Sequence, residues 1–87
     1  METALIVFSS STSGSRLKNL TQRAGIRNVQ ITQTPANIKS GGCSYSLRVN
    51  LHDIENILYL AARYRVGYAA VYREDKDLSG NKIYVRL

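Results

Sequence analysis

The chain has 87 residues, is 44% hydrophobic and 21% charged, and carries a formal net charge of +6. That length gives one domain, residues 1–87, with a small two-layer core and no room for a large enclosed substrate cavity. No apolar run approaches the ~20 residues of a membrane span, and no basic segment precedes the apolar N-terminal stretch, so neither a membrane helix nor a signal peptide is expected.

"ALIVF" (4–8) is rich in β-formers and bounded by serines, as a buried central strand should be. "SSSTSGSR" (9–16) supplies short hydroxyl side chains that cap a helix by accepting its free N–H groups. From about residue 14 the period becomes helical, with Leu17, Leu20 and Ala24 on one side, Arg16, Arg23 and Arg27 on another, and Gly25 as the C-terminal stop. "NVQITQT" (28–34) alternates Val29 and Ile31 with polar residues and predicts a half-buried strand. Pro35 stops it, having no N–H to donate.

"ANIKSGG" (36–42) reads as a loop. "SYSLRV" (44–49) is a strand with Tyr45, Leu47 and Val49 on one face and Ser44, Ser46 and Arg48 on the other. Asn50 and Asp53 make a variant capping box for a second helix, whose buried stripe is Ile54, Ile57, Leu58 and Ala61. Asp53 and Glu55 at its start, Arg63 and Arg65 at its end, suit the macrodipole. Gly67 is its expected end. "YAAVY" (68–72) is the next strand, "REDKDLSGN" (73–81) a polar turn region, and "KIYVRL" (82–87) a short last strand on an edge. The order β-α-β-β-α-β with an additional C-terminal strand fits an α+β, ferredoxin-like two-layer sandwich, both helices on one face of an antiparallel sheet.

Cys43 is the sole cysteine, so no internal disulfide forms, and a reducing cytoplasm is the expected location. One cysteine and His52 do not make a zinc site, and neither a metal nor a cofactor is expected. Gly41 and Gly42 before Cys43 allow close approach of another backbone and a turn with positive φ. A thiolate is favoured by neighbouring cations and unpaired N–H groups. Lys39 and Arg48 are near enough in sequence to supply charge, and Ser40 and Ser44 to hydrogen-bond a terminal sulfur. The competing reading is a buried cysteine packed as a small hydrophobe. For His52 and for the Ser/Thr run at 9–13, an exposed polar residue and simple helix capping are the better readings.

The segment "TPANIKSGGCSYSLRV" (34–49), in its setting of strands and helices, resembles the selenium/sulfur carrier-like family of small bacterial domains. The likeness runs from about residue 4 to about residue 74 and is carried at Thr34, Pro35, Ser40, Cys43, Leu47 and Arg48. Ser44 stands where the family usually has glycine, and Ala36 where it often has a basic residue. The resemblance implies that Cys43 holds a sulfur or selenium atom, as a persulfide or selenosulfide, between donor and acceptor proteins. The expectation is therefore a carrier rather than a free-standing enzyme.

Two other functions fit parts of the sequence. The basic side chains of residues 1–50 (Arg16, Lys18, Arg23, Arg27, Lys39 and Arg48) face only Glu2 as an opposing charge, which suits an anionic partner such as nucleic acid. The central strands offer no aromatic stacking platform, and the two-aromatic signature around glycine is absent, which opposes an RNA-binding module of the four-stranded type. A protein-interaction or homo-oligomer surface is the third reading, with Tyr68, Ala70 and Tyr72 on an open sheet face.

Overall fold

The apolar run near the N-terminus lies in the middle of the sheet. In the computed structural model, which describes residues 2–35, 38 and 45–87, β1 is Thr3–Val7. It is followed by α1 (Ser11–Arg23), β2 (Gln30–Gln33), β3 (Tyr45–Asn50), a 3₁₀ turn (Leu51–Asp53), α2 (Ile54–Arg63), β4 (Ala70–Lys76) and β5 (Lys82–Arg86). The strand order is β2-β3-β1-β4-β5 and every neighbouring pair is antiparallel.

Registers divide the side chains between two faces, because partners across a ladder point the same way. Ala4 opposite Val49, and Ile6 opposite Leu47 and Val71, point to the helices. They join Phe8, Leu17, Ile54, Ile57, Ala61 and Val66 in one buried cluster. Both helices thus cover one face of the sheet. The other face carries Leu5 between Arg48 and Tyr72. Leu5 is buried there although no helix covers it. Arg48 Nη2 reaches Glu74 Oε1 at 3.1 Å, so this ion pair spans β1 beside Leu5.

The helices differ from expectation at their ends. α1 starts three residues earlier, because Ser10 caps it: its hydroxyl oxygen accepts from the Ser13 N–H at 3.3 Å. Its buried residues are Gly14, Leu17 and Thr21, so the inward stripe is rotated away from Ala24, which is exposed. Asn50 makes no side-chain cap bond. It is the last ladder residue of β3, opposite Thr3, and the Leu51 N–H bonds the Glu2 carbonyl instead, at 3.0 Å. β4 also runs through Arg73–Lys76, within the region read as a turn. There charged side chains alternate between the two faces and are tied by Arg73–Asp75 and Lys82–Glu74 contacts. The turn itself is Asp77–Asn81, with Asp77 Oδ1 accepting from Ser79 and Asn81 N–H groups at 2.9 Å each.

Both helices close with the same backbone device. Ile26 N–H bonds Thr21 C=O and Gly25 N–H bonds Gln22 C=O after α1; Val66 bonds Ala61 and Arg65 bonds Ala62 after α2. This Schellman pattern needs a left-handed residue just past the cap. Gly25 provides it at φ 79°, but after α2 the position is Arg65 at φ 54°, not Gly67. A side chain in that region crowds its own backbone, which glycine avoids. Arg65→Gly is therefore expected to raise stability by about 1 kcal/mol, seen as a higher urea midpoint at unchanged slope.

Candidate functional site

Cys43 and five residues expected around it, Lys39, Ser40, Gly41, Gly42 and Ser44, lie outside the described residues. What the structure describes is the frame that holds the two ends of their segment. β2 and β3 are antiparallel neighbours with Gln33 opposite Tyr45. Beyond that last pair, Thr34 Oγ1 and Ser46 Oγ lie 2.6 Å apart, and both residues are buried. Either hydroxyl can donate. Phe8 N–H bonds the Tyr45 carbonyl at 3.1 Å, tying the start of β3 to the exit of β1. Ile38 N–H bonds the Pro35 carbonyl at 3.1 Å.

The hydroxyl pair was only half legible. Thr34 is one of the residues that carried the resemblance, whereas Ser46 reads in the sequence as a polar residue on an open face. A buried hydroxyl that loses its partner keeps its full desolvation cost. Thr34→Val is therefore expected to cost about 1–3 kcal/mol by leaving the Ser46 oxygen unpaired, and Ser46→Ala to cost a similar amount. The double variant is expected to lie closer to the native protein than the two losses summed. A urea double-mutant cycle measures this.

A cleft of about 200 Å³ opens beside the same frame. Phe8 and Leu47 line its apolar part; Ser11, Gly14 and Ser15 come from the first turns of α1, and Ile31 and Tyr45 from β2 and β3. Tyr45 and Ile31 are exposed, and β2, which carries Ile31, is an edge strand. Sequence periodicity places each of these residues on its own element but not beside one another, so the cleft was not foreseen. Its nearest signal is the "SYS" that follows Cys43.

Arg48, the described member of the expected cation set, sits on the sheet face away from the helices and is bonded to Glu74. Along a strand rising ~3.3 Å per residue, it is about 10 Å from Tyr45. His52 is exposed, with Nε2 3.6 Å from Asp53 Oδ1, and joins no cluster. Among the described residues, no group of three or more His, Cys, Asp or Glu side chains is arranged to hold a metal ion. No helix among them is long and apolar enough to cross a membrane.

Comparison with known proteins gives one match. The model of a family described as "Putative Se/S carrier protein-like" covers residues 3–73. No curated protein and no solved structure matches the chain. The matched region runs from β1 into β4 and contains Thr34, Pro35, Cys43 and Arg48; it ends before β5. With most of its length matched, the chain belongs to this Se/S carrier-like family.

Proposed function

We propose that the protein carries sulfur or selenium on Cys43 between a donor and an acceptor protein. The family match over residues 3–73 is the observation that carries this reading. The described frame supports it. Tyr45, two residues after Cys43 in the sequence, lines the cleft. We read the antiparallel order β2-β3-β1-β4, with both helices on one face and β5 added at its edge, as a ferredoxin-like form of the two-layer α+β sandwich.

The transfer is a thiol exchange and needs no external oxidant. The Cys43 thiolate attacks the outer sulfur of a donor persulfide. The donor's S–S bond breaks, the donor leaves as a thiolate, and the outer sulfur is now bonded to Cys43 Sγ. An acceptor thiolate then attacks that outer sulfur and Cys43 leaves as thiolate. Selenium follows the same steps as a selenosulfide. Lys39 and Ser40, the glycine pair 41–42 and Ser44 are the residues assigned to holding the terminal anion. A reducing compartment keeps the thiol available.

The test is intact-protein mass spectrometry after incubation with a cysteine desulfurase and cysteine, followed by peptide mapping. An increment of one sulfur atom on the peptide containing Cys43, removed by dithiothreitol, is the expected result. Absence of the increment, under conditions that load a known carrier, overturns the proposal.

A further inference from the structure

We propose that the sheet face turned away from the helices is a second binding surface, and that its ligand is single-stranded nucleic acid. Tyr72 and Tyr84 would stack bases there, and Arg48, Lys82 and Arg86 would take phosphates.

The registers put these groups on one face. Arg48 lies opposite Leu5, Leu5 opposite Tyr72 and Tyr72 opposite Arg86, making one row across four strands. In the adjoining row Glu74 lies opposite Tyr84, and beyond it Lys76 lies opposite Lys82. The two tyrosines are diagonal neighbours on β4 and β5, about 7–8 Å apart, which is room for two separate planar groups. Sequence reasoning looked for aromatic residues on the central strands and found none. Tyr72, expected from the sequence on an open sheet face, has Tyr84 of the added strand as its diagonal neighbour.

Charge selects the ligand. Among the described strand residues, four cations (Arg48, Lys76, Lys82 and Arg86) share this face with one carboxylate, Glu74. That carboxylate is bonded by Arg48 at 3.1 Å and approached by Lys82 at 3.8 Å, and its side chain is only 12% exposed. The Arg48 and Lys82 side chains remain 38% and 52% exposed, so neither is withdrawn from solvent by the pairing. Arg86 has no ion pair among the described residues. Burial, and then the Glu74 carboxylate, raise the Tyr84 phenol above its usual 10 against an opposing effect of Arg48, so this ring adds no negative charge at neutral pH. A second copy of the chain would bring the same cations face to face. An anion with flat, stackable groups satisfies both features. Of the five proposed contact groups, Lys82, Tyr84 and Arg86 lie beyond residue 73, where the family match ends, while Arg48 and Tyr72 lie within it.

Fluorescence polarisation with labelled oligouridylate and oligodeoxythymidylate tests this on the full chain, with poly-glutamate as competitor. Three phosphate contacts predict a log–log salt slope of about −2 for a single strand, or roughly 15-fold weaker binding for a fourfold rise in salt. Tyr84→Ala is expected to weaken binding about tenfold, Tyr84→Phe to restore it, and Arg86→Gln to flatten the slope by about 0.7. Arg86 is exposed at the sheet edge, so its variant serves if Tyr84→Ala loses its circular dichroism. Cys43→Ser is expected to bind as the native protein does. No polarisation change at low salt overturns the proposal. So does binding that is indifferent to Tyr84→Ala and Arg86→Gln, or binding displaced by poly-glutamate with no dependence on Tyr84, which would mark an acidic protein as the partner.

Discussion

Cys43→Ser will take up no sulfur under conditions that load the native protein. The expected effect is total rather than graded, because the chain has a single cysteine and no second thiol to replace it. The attacking species in persulfide exchange is a thiolate, and a free cysteine, with a pKa near 8.5, supplies some at neutral pH. A serine hydroxyl does not ionise in that range and forms no persulfide, so the hydroxyl preserves size but not chemistry. Intact mass after the desulfurase incubation is the measurement. A sulfur increment persisting in Cys43→Ser would place the cargo on another group and end the assignment. Variants at Lys39 or Ser40 are expected to slow loading without abolishing it, since they assist the anion rather than carry it.

Phe8→Ala will produce the largest loss of stability. Phe8 is the bulkiest of the fully buried side chains, at 1% exposure. Its ring packs beside Gly14 of α1, where an added Cβ would lie 3.5 Å from Cδ2, and it lines the cleft. Removing a buried ring of this size costs about 3–5 kcal/mol through lost transfer energy and the void left behind. Small domains have only about 5–15 kcal/mol in total, so much of the native population would be lost near body temperature. Differential scanning calorimetry should show a fall in Tm of ~12 °C or more. Phe8→Leu fills most of the space and should cost far less. A loss under 1 kcal/mol for Phe8→Ala would mean that the α1–sheet contact is not a principal support of the fold.

The elements that the sequence displays most clearly are those governed by local pattern. "ALIVF" names β1 because an unbroken apolar run suits a strand buried on both faces, and the period-2 pattern of "SYSLRV" names β3. The misplaced features depend on neighbours far along the chain. Arg73–Lys76 reads as a turn because four charged or polar residues in succession suggest solvent, yet β5 pairs with them and holds them extended. Ser46 reads as surface, yet Thr34, twelve residues away, buries with it. Gly67 looks like the helix stop, but Arg65 takes the left-handed position because Val66 must turn inward to the core. For the site, the cysteine and its glycines were evident from residue type alone. The cleft beside Tyr45 was not, since it exists only where α1, β2 and β3 converge.

The central place of β1 has a consequence for folding. Its two partners are β3 and β4, and Thr3 pairs with both Asn50 and Glu74. Within the sheet, the strand earliest in chain order must therefore wait for the fourth before the ladders can close on both its sides. With pairings so distant in sequence, assembly is expected to be slower than in a helical bundle of equal size. Until then, the most apolar stretch of the chain is the one that waits longest, and a chaperone that shields residues 4–8 would have its greatest effect there.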